Sequence, residues 1–461
     1  MTIQEFKEMA KGMKIAVVGI GVSNLPLVRM LNECGAKLCI HDKRTKEQLG
    51  ELYDELCEMG AETVLGEGHL DKIADGTQMV FKTPGVRFDA LALIEAAQNG
   101  AVISSEMELF FDVCPAKIIA VTGSDGKTTT TSLIYDMLKR AGYNCYLGGN
   151  IGRPLLCDAE NMTKDDIAVV ELSSFQLHTM KKSADIAVVT NVTPNHLDWH
   201  TDFEEYAESK KAVFKYRDGD GRVVLNFENN ITRTFGEDRE DAVYFSSKQP
   251  LKDGYSLENN RIVKKQNGEI VRDVLDIDTI YIPGMHNVEN YMAAIAATEG
   301  LVSDEVIRET AVEFKGDPHR KEYVRELDGV KYYNDSIASS PARTTAGLIS
   351  FGDKKVILIA GGYDKKIPFD EFGNVVNEHV KKLVLVGMTS DKIEKAVKEA
   401  DNFDNLPIYR CTEFKEAIEK AREIAENGDI VILSPACASF DLFKNFEVRG
   451  DTFKQIVKEM L

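Results

Sequence analysis

Lys117–Thr131, KIIAVTGSDGKTTTT, is the stretch of sequence that decides the fold around it. Its first residues form an apolar β-type run, and a turn containing Gly123 and Gly126 leads into SLIYDMLKRAG, whose apolar positions follow a helical stripe. The glycines let backbone N–H groups curve around phosphate oxygens, Lys127 adds a positive charge, and Thr128 offers a hydroxyl to Mg²⁺. The stretch therefore predicts a strand, a phosphate-binding loop and a helix that together hold ATP or GTP.

The loop departs from the usual Walker spacing, because Val121 stands where that pattern has its first glycine. The alternative is a glycine-rich turn that binds no phosphate. We favour phosphate binding because the turn follows a β-type run and opens a helix, as the motif requires. The residues expected around the phosphates are Gly123, Ser124, Asp125, Gly126, Lys127, Thr128 and Thr129.

Composition predicts a soluble, acidic, multidomain protein. Its 461 residues, 43% of them apolar, are enough for about three domains with real cores. No apolar run approaches the ~18 to 20 residues of a membrane span, and the start lacks the apolar centre of a signal peptide, so we expect a cytoplasmic location. A net charge of −19 argues against duplex nucleic acid as a partner. The eight cysteines lack metal-ligand spacing and are expected to be buried free thiols.

Alternating β-branched runs and helical stripes predict an α/β fold of doubly wound units. The pattern restarts near residues 111 and 316, which divides the chain into a Rossmann-like domain (1–111), a central domain around the phosphate loop (112–315) and a second Rossmann-like domain (316–461). Between Val243 and Ile282, short segments with Asn, Gly and Asp turns predict a small antiparallel flap on the central domain. Ligands are expected between the domains, at the strand ends.

A weaker signal follows the first strand, where GIGVSN resembles a dinucleotide-binding turn in which Asn24 replaces the third glycine. We favour a nucleoside-diphosphate site over a structural turn or an NAD site. In this interpretation the turn holds the diphosphate, the residues after the second strand read the nucleoside, and a later strand end lines the same cleft. The expected contacts are Gly21, Val22, Ser23, Asp42, Lys43, Arg44, Thr83 and Gly85.

Two strand ends in the central third carry candidate metal ligands. Glu171 can reach Mg²⁺ at the phosphate loop, whereas the alternative for its segment, ELSSFQ, is helix capping by Ser173 or its neighbour. His196 lies in NHLDWH, where a single histidine near Mg²⁺ or a phosphate is favoured over a transition-metal site and over an ordinary loop histidine. We expect Asp198 and His200 to be structural.

Spacing alone predicts no functional role for three other reactive side chains. Lys210 and Lys211, in YAESKKAVF, read as solvated lysines of a surface helix. Cys437, in SPACAS, has no base near it in the sequence and reads as a small buried thiol rather than a nucleophile. The serines and N–H groups of that segment are better suited to binding a carboxylate.

Eight motifs follow one another along the chain: GSDGKTT, ELSSFQL, NVTPNHLD, YAESKK, GMHNVENYMAA, DPHR, NDSIASS and SPACASFDLFKNFEVRG. Together they resemble the Mur ligase family, and the last motif with the amino-terminal GxG segment favours its D-glutamate-adding branch over other branches and over folylpolyglutamate synthases. The resemblance implies three domains, for a UDP moiety, for ATP and for an incoming amino acid. It also implies ATP-dependent amide formation between UDP-N-acetylmuramoyl-L-alanine and D-glutamate, through an acyl phosphate, in peptidoglycan precursor synthesis.

The resemblance implies roles for the candidate metal-binding residues. Lys127 would contact the β- and γ-phosphates, Thr128 and Glu171 would bind the first of two Mg²⁺ ions, and His196 would contribute to the second. Lys210 matches the family lysine that is carbamylated, which turns a cation into a carboxylate-like ligand and replaces the surface interpretation. Lysine suits this role only when its amine is deprotonated.

Further ligand contacts follow from the same resemblance. They are Asn287, Asn290, Arg320 and Asp335 for ATP, Asn150, Ser173 and Gln176 for the muramoyl group, and Ser339, Lys365, Ser439 and Phe446 for D-glutamate. The chain departs from the family pattern at NDSIASS, where Ile337 replaces a lysine and Ser339 a threonine. Arg343, a turn further on, is a candidate for the missing charge.

Other classes of protein remain open at this point. A related ligase could add another amino acid or use a folate. A regulatory or transport NTPase would turn over ATP without an acceptor amine. An NAD-binding dehydrogenase would need Gly19 and Gly21 but not Lys127. For the ligase we expect a monomer.

Overall fold

The computed structural model describes residues 1–21, 24–197, 199–217, 221–352, 355–365 and 367–461. These residues form two compact units, Met1–Phe314 and Lys315–Leu461. The first unit contains two β-sheets and the second contains one, which confirms the predicted α/β class. Among the described residues, no helix has the length and apolar content that a membrane crossing requires.

The amino-terminal part of the first unit is a five-stranded parallel sheet with helices. Its elements are α1 (Ile3–Ala10), β1 (Lys14–Val18), α2 (Asn24–Glu33), β2 (Lys37–Asp42), α3 (Lys46–Leu49), α4 (Glu51–Glu58), β3 (Glu62–Leu65), β4 (Met79–Lys82), α5 (Leu91–Gln98), β5 (Val102–Ser104) and α6 (Glu106–Val113). The strand order β3-β2-β1-β4-β5 reverses at β1, so the ends of β1 and β4 flank a crevice of the kind that binds ligands in doubly wound sheets.

The rest of the first unit is built on a nine-stranded sheet. Its elements are β6 (Lys117–Thr122), α7 (Lys127–Arg140), β7 (Cys145–Gly149), β8 (Ile167–Glu171), α8 (Ser174–Leu177), β9 (Ile186–Val189), α9 (Phe203–Lys215), β10 (Arg222–Asn226), α10 (Asn230–Phe235), β11 (Ala242–Ser246), β12 (Gly254–Glu258), β13 (Arg261–Gln266), β14 (Glu269–Asp276), α11 (Met285–Ala297) and α12 (Asp304–Glu313), with 3₁₀ turns at Leu156–Asn161 and Ile277–Thr279. The strand order is β14-β13-β12-β11-β10-β9-β6-β8-β7.

Two strands of this sheet are fully buried. Every residue of β8 and β9 is buried, as expected of strands covered on both faces.

The antiparallel strands predicted between Val243 and Ile282 are present as β12, β13 and β14. They do not stand apart as a flap, however, because β12 pairs in parallel with β11 and the three strands extend the edge of the main sheet.

One hydrophobic cluster runs through both parts of the first unit. It joins Val17 and Phe81 of the amino-terminal sheet to Leu155 and Val189 of the central part. Burial of apolar surface contributes ~25 cal/mol per Å², so this shared core holds the two sheets together. The predicted division at residue 111 therefore falls within a single compact unit, and the three-domain scheme stays a prediction.

The second unit is a six-stranded sheet with helices. Its elements are β15 (Glu322–Leu327), β16 (Val330–Asn334), α13 (Pro341–Ile349), β17 (Val356–Ala360), α14 (Asp370–His379), β18 (Val380–Val386), α15 (Ser390–Glu399), β19 (Ile408–Cys411), α16 (Phe414–Glu423), β20 (Ile430–Leu433) and α17 (Phe446–Glu459). The order is β15-β16-β20-β17-β18-β19, and only the β15–β16 pair of this sheet is antiparallel.

Candidate active site

The phosphate loop connects β6 to α7 and has no space for side chains at its two glycines. Gly123 has φ +150°, and a Cβ there would collide with Thr190 Oγ1. Gly126 has φ +78°, and a Cβ there would collide with Asn290 Oδ1. The backbone can therefore approach a ligand closely, and it does so at the amino terminus of the 14-residue helix α7, where N–H groups and the helix dipole favour anions.

The segment after β9 holds the loop in place. Thr190 Oγ1 donates to the Asp125 carbonyl at 2.5 Å, and Asn191 Oδ1 accepts from the Asp125 N–H at 2.9 Å. Ser124 Oγ accepts from the Thr193 N–H at 2.9 Å. The loop is thus fixed by side chains and backbone groups from a neighbouring strand end, as a preorganised anion site requires.

Two lysines converge on one carbonyl oxygen of this loop. Lys127 Nζ donates to the Gly123 carbonyl at 3.0 Å, and Lys210 Nζ donates to the same oxygen at 2.9 Å. Burial, together with the neighbouring charge of Lys127, places the pKa of Lys210 well below its usual value. Lys210 therefore has a neutral amine available over a wider pH range than an ordinary lysine.

The surface position predicted for Lys210 from spacing is wrong, since the residue is only 1% exposed. It lies on the buried stripe of α9 with Tyr206, Val213 and Phe214, at spacings of three and four residues. Its Nζ lies 4.4 Å from the centre of the Tyr206 ring. Lys211 is partly exposed and pairs with Glu208. The apolar stripe of the helix was the signal that could have identified the buried lysine.

Glu171 ends β8, directly beside the strand that leads into the phosphate loop. It is 1% exposed, and its Oε1 accepts from Asn150 Nδ2 at 2.6 Å, whereas its Oε2 has no hydrogen-bond partner among the described residues. An unpartnered buried carboxylate oxygen is unfavourable unless a cation or a donor joins it. The residue thus fits the predicted role as a Mg²⁺ ligand, and the amide of Asn150 is already committed to it.

The capping alternative for this segment is also present. Ser173 Oγ accepts from the Gln176 N–H at 3.3 Å, and Gln176 Oε1 accepts from the Ser173 N–H at 2.9 Å, which forms a reciprocal capping box on α8. Both residues were predicted as substrate contacts. In the structure their hydrogen-bonding groups fix the start of the helix.

The HLDWH segment divides into an exposed and a buried histidine. His196 is exposed, has φ +55°, and its ring centre lies 4.8 Å from that of Phe175. His200 is buried, with Nδ1 3.0 Å from Glu205 Oε1 and Nε2 3.0 Å from Ser174 Oγ. His200 is therefore held within the fold, as predicted, whereas His196 is accessible to a ligand. Asp198 lies outside the described residues.

Sequence reasoning missed the partners of His200. His178 Nε2 lies 3.3 Å from the same Glu205 oxygen, so two histidines and a carboxylate share one position. Arg87 donates to both Glu205 oxygens, at 3.0 and 3.3 Å. The carboxylate is thus paired with a guanidinium, which disfavours a metal ion there. No local pattern links these residues, because they come from separate parts of the chain.

The residues predicted near adenine lie on α11, which packs against α7. Asn290 Oδ1 accepts from Thr130 Oγ1 at 3.2 Å, and Asn287 Oδ1 accepts from Asn290 Nδ2 at 3.2 Å. The two asparagines therefore form a short chain of amides that leads to the helix of the phosphate loop.

The amino-terminal crevice is organised by Asp42. Its carboxylate accepts from the Ile20 N–H at 2.8 Å and from the Arg44 guanidinium at 2.9 Å. Burial alone would raise the pKa of Asp42, but the hydrogen bonds and charge of Arg44, together with the Ile20 N–H, outweigh burial and lower the pKa. The hydrogen bond from Ile20 thus ties the end of β2 to the turn after β1, and Arg44 holds the carboxylate that accepts it.

The other residues predicted for this crevice are placed as follows. Thr83 lies against Gly19, because a Cβ on that glycine would come within 2.7 Å of Thr83 Cγ2. The Gly85 carbonyl accepts from Trp199 Nε1–H at 3.1 Å. Gly21 and Lys43 are exposed. Val22 and Ser23 lie outside the described residues.

In the second unit, strand ends bring together several predicted residues. Asp335 is buried; Oδ2 accepts from Ser434 Oγ at 2.7 Å, and burial raises its pKa to about 6. Lys365 Nζ donates to the Ser339 carbonyl at 3.2 Å and lies 3.3 Å from Ser339 Oγ. Arg343 donates to the Ile337 carbonyl at 3.3 Å, and after burial its charge is the next factor that lowers the pKa of Lys365. Arg343 therefore lies near Lys365, in the region where the family lysine is absent.

A buried arginine that sequence reasoning missed supports this region. Arg449 donates from Nε to Ser336 Oγ at 3.0 Å and from Nη2 to the Cys437 carbonyl at 3.1 Å. Ser439 is buried, and the Phe446 carbonyl accepts from Ser336 Oγ at 2.8 Å. Arg449 thus connects the loop after β16 to the loop after β20. Arg320 precedes β15 in this unit.

Two family models match this chain. Residues 121–298 match the Mur ligase middle domain, and residues 319–437 match the Mur ligase glutamate ligase domain. The chain is 51% identical over 463 residues to the UDP-N-acetylmuramoylalanine-D-glutamate ligase of Acetivibrio thermocellus, covering 99% of each chain. It is 48% identical over 462 residues to the protein of that name from Clostridium novyi, covering 100% of this chain and 99% of the relative.

Solved structures share the fold at lower identity. The UDP-N-acetylmuramate-alanine ligase MurC of Thermotoga maritima aligns with TM-score 0.58 at 19% identity, covering 97% of this chain and 99% of that one. The MurF ligase of Thermotoga maritima, solved in complex with ADP, aligns with TM-score 0.55 at 16% identity, covering 98% and 97%. Both alignments cover nearly the whole chain, so the similarity in fold is not confined to one domain.

Proposed function

The chain belongs to the Mur ligase family, and on that premise we propose that it joins D-glutamate to UDP-N-acetylmuramoyl-L-alanine with hydrolysis of ATP to ADP and phosphate. Identities of 51% and 48% to two D-glutamate ligases, over nearly the full length of the chain, support the choice of substrates. The observation that carries the chemistry is the phosphate loop itself, with two lysines on the Gly123 carbonyl oxygen and the unpartnered buried oxygen of Glu171 at the next strand end.

The ATP half of the site is assigned to the first unit. Gly123 to Thr129 surround the phosphates, Lys127 contacts the β- and γ-phosphates, and Asn287 and Asn290 lie on the adenine side. Thr128, Glu171 and His196 would hold two Mg²⁺ ions, with a carbamylated Lys210 as a further oxygen ligand. The metal supplies charge neutralisation for phosphoryl transfer. Support comes from the orphaned oxygen of Glu171 and the lowered pKa of Lys210.

The reaction makes an amide by first activating a carboxylate. The L-alanyl carboxylate attacks the γ-phosphorus of ATP, ADP leaves, and an acyl phosphate forms. The amine of D-glutamate then attacks the carbonyl carbon, loses a proton, and expels inorganic phosphate with the original carboxylate oxygen. Lys127 and the loop N–H groups stabilise the charge that moves from the γ-phosphate to ADP.

The UDP end of the substrate is assigned to the crevice at the ends of β1, β2 and β4. The expected contacts are Gly21, Val22, Ser23, Asp42, Lys43, Arg44, Thr83 and Gly85, with Asn150, Ser173 and Gln176 on the muramoyl side. In the structure Asp42 is paired with Arg44, and Asn150 with Glu171. Substrate contacts by those four side chains would therefore add to or replace existing hydrogen bonds.

The acceptor is assigned to the second unit, together with Arg320 and Asp335 for the nucleotide. Lys365, Ser339, Ser439 and Phe446 would hold D-glutamate, with the lysine on its side-chain carboxylate. Arg343 lies close enough to lower the pKa of Lys365, so it can supply the positive charge that Ile337 does not.

We also propose the three-domain division at residues 111 and 316, a cytoplasmic location and a monomeric state.

Phosphate release in an acceptor panel tests this function. ATP, Mg²⁺ and UDP-N-acetylmuramoyl-L-alanine are incubated with D-glutamate, L-glutamate, L-lysine or no amino acid, and phosphate and amide product are both quantified. Release and product only with D-glutamate are expected. Turnover without an acceptor would indicate an NTPase, and turnover with another amino acid would keep the chemistry but overturn the substrate.

A further inference from the structure

Arg87 connects two loops to which the proposed function assigns different ligands. It follows Thr83–Gly85, the loop assigned to the UDP substrate. Its Nη1 donates to the Trp199 carbonyl at 2.8 Å and to Glu205 Oε1 at 3.0 Å, while its Nη2 donates to Asp89 Oδ2 at 2.9 Å and to Glu205 Oε2 at 3.3 Å. A planar guanidinium can make these bonds at once because its donors are fixed in a fork.

Trp199 makes the connection in the opposite direction. Its indole N–H donates to the Gly85 carbonyl at 3.1 Å, and its ring lies 5.0 Å from the Arg87 guanidinium carbon. Its backbone N–H donates to the His196 carbonyl at 3.1 Å. Both its ring and the His196 ring lie 4.8 Å from the ring of Phe175. The substrate loop and the His196 loop are therefore joined by charge, by hydrogen bonds and by ring contacts.

Glu205 extends this network to the helix that carries Lys210, whose amine donates to the Gly123 carbonyl of the phosphate loop. It lies in the first turn of α9, the helix that carries Lys210 one and a half turns further on. Its Oε1 lies 3.0 Å from His200 Nδ1, and its Oε2 accepts from Thr201 Oγ1 at 3.0 Å. The position of α9 relative to the substrate loop is thus set through one arginine and one carboxylate.

We propose that Arg87 and Trp199 are positioning residues that hold the Thr83–Gly85 loop in register with His196 and α9, so that the UDP substrate binds with its alanyl carboxylate facing the phosphate loop. This inference rests on the proposed function. Neither residue was predicted as a ligand contact. Both act through Gly85, His196 and Glu205, and a substrate held only by the amino-terminal crevice would lack this alignment.

Conservative variants separate alignment from general stability. Arg87→Lys keeps the charge but loses the fork, so it cannot serve Trp199, Asp89 and Glu205 together. Trp199→Phe keeps a ring but removes the donor to Gly85. Arg261→Ala is the matched control, because Arg261 also pairs with two carboxylates, Asp273 and Asp276, on the antiparallel edge of the sheet.

The experiment measures KM, kcat and the thermal midpoint for the wild type, the three single variants and the Arg87→Lys/Trp199→Phe double variant. Arg87→Lys and Trp199→Phe should each raise the KM for UDP-N-acetylmuramoyl-L-alanine at least tenfold, with the KM for ATP within twofold of wild type. The double variant should raise it by less than the product of the two factors, because both act on the same loop. Arg261→Ala should leave both KM values within twofold.

Trp199 also gives a direct binding signal, since it is the only tryptophan of the chain. Titration of the wild type with the UDP substrate, without ATP, should change its fluorescence, and Arg87→Lys should shift that titration to at least tenfold higher concentration. A lowered thermal midpoint with an unchanged KM in both variants, and an unchanged titration in Arg87→Lys, would overturn the positioning role. A wild type that neither binds the UDP substrate nor uses D-glutamate would instead overturn the proposed function, and this inference with it.

Discussion

Gly126→Ala tests the shape of the phosphate loop most sharply. At φ +78° an alanine is strained by ~1–2 kcal/mol, because an L-residue there brings Cβ too close to the following carbonyl. The new methyl group also collides with Asn290 Oδ1, and such overpacking costs ~1–3 kcal/mol. If the collision is relieved by moving the loop, that second amount is lost from ATP binding, which corresponds to about a 5- to 150-fold higher Kd.

The same helix supplies the control. Gly142 follows α7, has φ +88°, and a Cβ there would meet no atom of the described part of the chain within 4 Å. Gly142→Ala should therefore lower the thermal midpoint through strain while leaving the ATP Kd, measured by titration calorimetry, within twofold. In an Asn290→Ser background, where the colliding atom is removed, Gly126→Ala should weaken ATP binding by a smaller factor. Equal ATP Kd values for Gly126→Ala and Gly142→Ala would refute the reasoning.

Three further predictions concern side chains of the site. Glu171→Gln removes the charge but keeps the oxygen that accepts from Asn150. In a metal titration, the Mg²⁺ concentration for half-maximal activity should therefore rise at least tenfold. An unchanged titration would show that Glu171 does not bind the metal. Because the lowered pKa of Lys210 makes its neutral amine available, ¹³C-bicarbonate should give a carbamate signal in the NMR spectrum of the wild type. Lys210→Met should lack this signal. The same signal in both proteins would show that another amine is carbamylated. Hydrogen bonds, above all from Arg87 and also from Thr201 and His200, lower the pKa of Glu205 from 4.5 to about 2, so ionised Glu205 stabilises the fold above pH 4.5. The thermal midpoint of Glu205→Gln should therefore lie below that of wild type at pH 7, and the difference should shrink as the pH falls from 4.5 towards 2; a pH-independent difference would contradict the sign.

Local sequence was sufficient wherever the chemistry lies within one short segment. The phosphate loop could be predicted because a β-type run, two glycines and a helical stripe follow one another within residues 117–142, and all three depend on nearest neighbours. The placement of Glu171 at a strand end followed in the same way. Parallel strands bring their carboxyl ends to one edge, so a strand order was not needed to expect it near the loop.

Side chains that depend on tertiary packing could not be predicted in this way. Spacing alone placed Lys210 on the surface because a charged residue on a helix is usually solvated, although the apolar stripe of α9 contains it. Arg449 lies on the buried face of α17 in the same manner. The contact of Arg87 with Glu205 joins residues 118 positions apart, and no periodicity encodes it.

An isotope transfer experiment tests the central claim most directly. UDP-N-acetylmuramoyl-L-alanine labelled with ¹⁸O in both alanyl carboxylate oxygens is incubated with the enzyme, ATP, Mg²⁺ and D-glutamate, and the phosphate and the amide product are analysed by mass spectrometry. The acyl-phosphate route predicts one ¹⁸O atom in each phosphate released and one in each amide. Unlabelled phosphate, with both labelled oxygens still in the UDP substrate, would show that ATP is hydrolysed without activating the carboxylate and would contradict the account.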